Sequence, residues 1–351
     1  MTSVTVFVDP TTGHFMDDRL FDVSDPTLNR DDQLLPFSRL RDRLAAAGVR
    51  IHTADRLRAG RGLGRINHYW SIGLLDGYRD LVGRPGVVLK GFMMFEPPLV
   101  APAMYAALPE LTRSFEHVYL HNTLGDGYSL DGVDRSRLHR FHVPQPYPGV
   151  VEPYWSAGER LNKIVVIAGN HNPGTARPEL YSHRIEAVAA LAPLGCVDLY
   201  GKGWDRWWSR HSMWLPYWRH RRALMLAYRG ACASKLPVLS RYRFALCLEN
   251  MPMRGYVTEK IFDCFYAGTV PVYQGGEGVE EYLPPGTFID RQAFGSWREM
   301  WTALSRMPDD EVASYRNAAR DFLRSPGYLP FFHGLDDSIF DATVREPEVA
   351  R

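Results

Sequence analysis

The sequence lacks most of the features that would assign it at once. Its four cysteines, Cys196, Cys232, Cys247 and Cys264, are spread out and make no Cys-x-x-Cys pair. That leaves no paired-thiol motif, and the apolar runs around Cys247 and Cys264 point to buried thiols in a reducing compartment. No stretch approaches the roughly 20 apolar residues of a membrane span; the longest, VVLKGFMMF, is interrupted by Lys90. The opening MTSVTVFVDP has neither the basic start nor the long apolar centre of a signal peptide, so a cytoplasmic protein is expected. The formal net charge of +1 argues against a broadly basic nucleic-acid binder. There is no internal repeat and no low-complexity tract. No Asp-x-Asp triplet occurs, which removes a common way of clamping a divalent ion on a diphosphate. His139 and His142 lie three apart, but a metal site needs more ligands than they supply.

What is present describes a globular α/β protein. At 351 residues it exceeds one ordinary core and fits two domains. Short β-branched runs alternate with helical spacing, a pattern that builds parallel sheets covered on both faces. Strands are expected at 4–8, 49–53, 86–95, 117–120 and 141–143, with helices at 34–47 and from 101. Four prolines between 143 and 162 mark a joint. The alternation then restarts, with strands at 163–168, 197–200, 243–248 and 270–273. Helices are expected at 178–191, 259–267, 297–307 and 309–323. The division is an N-terminal domain over 1–155 and a C-terminal domain over 156–351, whose terminal helices could pack back on the first. Two αβα layers facing across a cleft form the natural arrangement.

Two cations stand where helix physics disfavours them. Thr258 is a good N-cap and Glu259 suits the first turn, but Lys260 opposes the helix dipole by a few tenths of a kcal/mol. An anion at the helix start would reverse that sign, since free N–H groups and an ammonium together make a phosphate site. A solvated lysine turned away from the dipole is the bland alternative. Arg184 sits before or early in the helix after the strand KIVVIAG, where a guanidinium can grip phosphate through two N–H bonds; a surface arginine is again the alternative.

The run RYRFALCLENMPMRGYVTEKIFDCFYAGTVPVYQGG resembles the signature of the α1,3/4-fucosyltransferases, glycosyltransferase family 10. The matching residues are Glu249-Asn250, Tyr256-Val257-Thr258-Glu259-Lys260 and Gly268-Thr269-Val270-Pro271-Val272, and PPGTFID downstream also looks like the family. SHRIEAVAALAPLGCVDLYGKGW is similar to its arginine-led helix and following strand, YRGACASK fits the segment before the nucleotide strand, and MMFEPPL resembles its Glu-Ser-Pro loop with Pro97 replacing the serine. The resemblance implies a GT-B fold of two Rossmann-like domains, with the acceptor mainly on the N-terminal domain (1–155) and the nucleotide sugar mainly on the C-terminal one (156–351), GDP-fucose as donor, a saccharide or glycoconjugate acceptor, inversion at the anomeric carbon, no metal and no other cofactor. By position it implies that Arg184 and Lys260 bind the diphosphate, that Asn250, Tyr256 and Glu259 contact nucleotide and sugar, and that Glu96 is the catalytic base. Glu249 is taken as structural. Desolvation by Met93, Met94 and Phe95 is expected to raise the pKa of Glu96.

Two alternatives keep this fold: another GDP-sugar as donor, or a catalytically inactive nucleotide-sugar-binding protein. The tract GWDRWWSRHSMWLPYWRHRRAL carries Trp204, Trp207, Trp208, Trp214 and Trp218 among five arginines. It is open to four readings: a wall of the acceptor cleft, a peripheral membrane contact, a single-strand stacking platform, or an aromatic insertion packed over the second domain.

Overall fold

The β-branched residues near the N-terminus form β1 (Val4–Asp9), buried almost throughout, as expected of a strand covered on both faces. In the computed structural model, which describes residues 4–174, 177–206, 208 and 214–345, the protein divides into two compact units. One is Met1–Pro146 with Leu329–Arg351; the other is Tyr147–Tyr328.

The first unit adds β2 (Arg50–Thr53), β3 (Ile66–Ser71), β4 (Val87–Met93), β5 (His117–Leu120) and β6 (Leu138–Arg140). Its sheet has the order β2-β1-β3-β4-β5-β6, and every pairing is parallel. Two elements depart from the sequence reading. β3 is buried yet polar, with Asn67, His68 and Ser71 inside, so hydrophobic patterning passes over it. The strand expected at 141–143 is instead Leu138–Arg140: Phe141 adds one bond to Leu120 C=O (2.8 Å), and the backbone then leaves the ladder ahead of Pro144. The residues from Leu329 onward return to this unit. There the helix Gly334–Phe340 presents the buried carboxylate of Asp336 to Arg39 Nε at 2.8 Å, and the Arg39 guanidinium lies 3.9 Å over the Phe332 ring.

The second unit contains β7 (Leu161–Ile167), β8 (Val197–Tyr200), β9 (Tyr242–Leu248), β10 (Val270–Gln274) and β11 (Ile289–Asp290) in the order β11-β10-β9-β7-β8, again all parallel. The sheet grows outward from β7 to β8, then the path crosses back to extend the other side from β9. The strand order therefore reverses between β7 and β9, and the carboxyl ends of two such strands are where open α/β sheets hold ligands.

The helix Glu259–Ala267 connects β9 to β10 and is buried over nearly its whole length. Phe262 and Phe265 pack edge-on to each other, and Phe265 also meets Phe322 of the helix Asp309–Leu323 edge-on. Each fully buried aromatic of this kind contributes roughly 1.5–3 kcal/mol. Gly268 ends the helix at φ +69°, a conformation that side chains with a Cβ resist, and its N–H and that of Thr269 close the last turn. Among the described residues no helix is long and apolar enough to cross a membrane.

The Trp/Arg tract divides. Trp204 and Tyr217 are buried in the second unit's core, Trp204 Nε1 donating to Ala168 C=O at 2.7 Å and the Tyr217 hydroxyl to Trp204 C=O at 2.6 Å. The helix Leu215–Ala227 follows. Trp207 and Arg210 lie outside the described residues.

Candidate active site

The site is built where β9 ends. Glu249 follows the strand directly, its N–H held by Gln274 C=O of β10 at 3.0 Å, and it is completely buried. A carboxylate in that position needs partners. It has four: Thr258 N–H at 2.9 Å, the Thr258 hydroxyl at 2.8 Å, Lys260 Nζ at 3.0 Å and the Tyr273 hydroxyl at 3.3 Å. The N-cap Thr258 thus receives its anchor from Glu249, and burial together with this carboxylate pushes the Tyr273 phenol well above its ordinary pKa.

This arrangement answers the question raised by Lys260. The anion that offsets the helix dipole is part of the protein. Nζ also lies 2.8 Å from the Thr258 hydroxyl, and the side chain stays 23% exposed. An ammonium has three N–H bonds and two are committed here, which leaves the third for an incoming group. Burial opposes the charge on Lys260, but the carboxylates of Glu249 and Glu259 outweigh it and hold its pKa above the usual value.

Arg184 lies in the first turn of the helix Tyr181–Leu191 that follows β7, and it is buried. Its Nη2 donates to Leu248 C=O, the last carbonyl of β9, at 2.7 Å, and its guanidinium lies 5.3 Å from the Tyr181 ring centroid. This bond spans the β7–β9 reversal and ties the arginine to the strand that carries Glu249. Burial lowers its pKa, with Tyr181 and Glu249 acting in the opposite sense. An arginine on this inner face is not the surface residue of the bland reading.

Asn250 continues from Glu249. Its C=O accepts from Leu180 N–H at 3.0 Å, and its Nδ2 donates to the hydroxyl of buried Tyr256 at 3.1 Å. The loop between them lies close against the end of β10: a Cβ on Gly276 would fall 2.2 Å from the backbone of Met253, so only glycine fits. Glu259 is the first residue of its helix and is 44% exposed, 3.7 Å from Lys260 Nζ and 3.9 Å from Lys235 Nζ. Burial works against its ionisation, but Lys260, Lys235 and the N–H groups at the helix start bring its pKa down to about 2.

Arg184, Asn250, Tyr256, Glu259 and Lys260 are therefore gathered at the carboxyl ends of β7 and β9. Glu96 belongs to the first unit. It stands just past β4, exposed, with its backbone carbonyl accepting from the Tyr105 hydroxyl at 3.1 Å. The expected desolvation falls elsewhere, because Met93 and Met94 are fully buried while Glu96 is not. The sequence reading also passed over Lys235, whose Nζ pairs with Asp263 at 2.8 Å. Its sequence signal is its place as the last residue of YRGACASK. Among the described residues no group of three or more His, Cys, Asp or Glu side chains is placed to hold a metal.

Comparison with known proteins places this geometry. Residues 165–318 match the family described as glycosyltransferase family 10 (fucosyltransferase), C-terminal part. The chain is 41% identical over 75 residues to an α-(1,4)-fucosyltransferase of Arabidopsis thaliana, an alignment covering 21% of this chain and 19% of that protein. It is 39% identical over 187 residues to α-(1,3)-fucosyltransferase 7 of Homo sapiens, covering 51% and 45%. In both cases the chain spans less than half the relative's length. A crystal structure of an α1,3-fucosyltransferase superposes with a TM-score of 0.52 over 98% of this chain and 91% of that one, at 14% identity. The fold is of the GT-B type, α/β with two Rossmann-like domains.

Proposed function

We propose that this chain, whose residues 165–318 match glycosyltransferase family 10, transfers L-fucose from GDP-fucose to a hydroxyl of a saccharide or glycoconjugate, inverting the anomeric carbon and using no metal ion. The observation that carries this reading is the pair Arg184 and Lys260, brought to the carboxyl ends of β7 and β9 by two different helices.

In an inverting transfer the acceptor hydroxyl attacks the anomeric carbon opposite the departing diphosphate, and the sugar passes through oxocarbenium-like charge. Fixed cations lower the barrier by stabilising the leaving group as its negative charge grows. Arg184 offers a planar fork of N–H donors, of which one is spent on Leu248 C=O. Lys260 offers its uncommitted N–H from a helix start, where backbone N–H groups also favour an anion. Glu249 holds Lys260 in position without reaching the donor itself, being completely buried. Asn250 and Tyr256, linked to each other, are assigned to the nucleotide side, and Glu259 to the hydroxyls of the sugar. Glu96 is assigned as the base that takes the acceptor proton. Its exposure leaves it reachable by an incoming hydroxyl, which suits a proton acceptor.

The test is calorimetry with GDP, ADP and UDP, then with several GDP-sugars, followed by transfer assays in excess chelator. The reading expects GDP to bind tightest, GDP-fucose to be consumed fastest, and chelator to leave the rate unchanged. A preference for another GDP-sugar would move the donor assignment. Nucleotide binding with no turnover of any donor would make the protein a nucleotide-sugar-binding module. Activity lost to chelator and restored by magnesium would sink the role given to the two cations.

A further inference from the structure

The helix Leu215–Ala227 has two unlike faces. Tyr217, Leu224 and Ala227 are buried against the second unit. On the opposite side, Leu215 is followed at three and four residues by Trp218 and Arg219, Arg222 comes three beyond Arg219, and Leu226 four beyond Arg222, so all five form a single stripe. That stripe is turned outward: Leu215 is 78% exposed, Leu226 60% and Trp218 41%, and both arginines are exposed. Leaving three large apolar side chains in water on one helix face forgoes roughly 1.5–3 kcal/mol of burial for each. Isolated exposed leucines are ordinary; a leucine–tryptophan–leucine line flanked by arginines is a surface built for contact.

The charge on the helix selects the partner. Leu215–Ala227 has no Asp or Glu but carries Arg219, Arg221 and Arg222, in a protein whose overall formal charge is +1. Neither Arg219 nor Arg222 has an ion-pair partner among the described residues. A nucleic acid would use the arginines and Trp218 but would gain nothing from Leu215 and Leu226. A basic stripe interleaved with Trp and Leu, on a helix whose other face is already anchored, is the chemistry of an interfacial helix lying on a lipid surface.

We propose that the outer face of the helix Leu215–Ala227 docks this protein on a membrane carrying anionic lipid. Arg219 and Arg222 engage phosphate-bearing headgroups, while Leu215, Trp218 and Leu226 enter the boundary between headgroups and acyl chains. The helix lies in the plane of the interface and crosses nothing. None of these five residues is assigned to the donor or the acceptor, so docking does not depend on the donor assignment.

The experiment is co-sedimentation of the full-length protein with vesicles of phosphatidylcholine alone and of phosphatidylcholine mixed with phosphatidylglycerol, at low and high salt. Binding is expected only to the mixed vesicles and is expected to weaken as salt rises. The double variant Arg219→Glu/Arg222→Glu should lose at least about tenfold in partitioning, from roughly fivefold for each basic residue removed near an anionic surface. Leu215→Ser/Leu226→Ser should also weaken binding while keeping its salt dependence. Arg298→Glu, at an exposed site on another helix, should leave binding unchanged. Far-ultraviolet circular dichroism and thermal melts establish that each variant is folded, and Arg219→Gln/Arg222→Gln replaces the charge reversal if that one is not. The proposal is overturned if the wild type binds neither vesicle, if it binds both equally, or if Arg298→Glu weakens binding as much as the stripe variants do. Binding to a single-stranded oligonucleotide through Arg219 and Arg222, with no vesicle binding, would overturn it in favour of a nucleic-acid surface.

Discussion

Lys260 Nζ lies 3.0 Å from Oε2 of Glu249, a carboxylate with no exposed surface. The two are eleven positions apart in sequence, one at the end of a strand and the other in the first turn of a helix. The pair makes the lysine a fixed charge and gives the helix its cap.

Glu249→Ala is expected to destabilise the protein strongly. It leaves Lys260 facing a cavity and removes the acceptor for Thr258 N–H and the Tyr273 hydroxyl. Breaking a buried ion pair from one side costs about 3–5 kcal/mol. Urea unfolding should show the midpoint falling by a corresponding amount, and a midpoint near that of the wild type would mean that Glu249 does not hold this region together.

Removal of either cation should weaken GDP binding. A hydrogen bond to a charged group contributes about 1.5–3 kcal/mol, so Arg184→Ala and Lys260→Ala should each raise the Kd for GDP roughly 10- to 100-fold. Lys260→Arg, which keeps a charge beside Glu249, should lose less. Titration calorimetry decides this, and unchanged affinity in both alanine variants would remove the diphosphate role.

For Glu96→Gln the effects should separate. A general base contributes about 10²- to 10⁴-fold, so kcat for transfer should drop by that factor while GDP affinity and thermal stability stay as in the wild type. The residue is exposed, so no folding defect is expected to confuse the result.

Acid should weaken the first unit before its carboxylates titrate. His121 is completely buried, and burial holds its pKa down at about 4 against an ordinary 6.5; His142 shifts the same way. Between those values the unfolded state binds a proton that the folded state refuses. Stability is therefore fully present above 6.5 and is lost as the pH falls toward 4, by roughly 3 kcal/mol for His121 alone. Urea midpoints measured across that range should decline, and His121→Gln should flatten the decline. A profile that is flat in the wild type would contradict a neutral buried imidazole.

Much of the second unit was legible in the sequence. β-branched runs and helical spacing placed β7, β8, β9 and β10, because local pattern governs which backbone hydrogen bonds form. The helix 259–267 was readable to the residue, since Thr258 starts it and Gly268 can only end it. The motif from Glu249 to Val272 held Asn250, Tyr256, Glu259 and Lys260 together in one stretch, whereas Arg184 came from a separate segment. The first unit was harder to read: β3 carries Asn67, His68 and Ser71 inward, and a buried polar strand has no hydrophobic period to detect.

The sequence by itself determined which residues would stand at the ends of which strands and helices, because N-caps, glycine stops and apolar runs act within a few residues. Only the tertiary structure decided what those residues meet. Arg184 reaches Leu248 C=O across 64 positions because β7 and β9 are neighbours in the sheet. Glu249 supplies the anion for Lys260, and part of a tryptophan-rich tract is core while another part faces water. Strand order and burial set those contacts, and neither is a property of any local stretch of sequence.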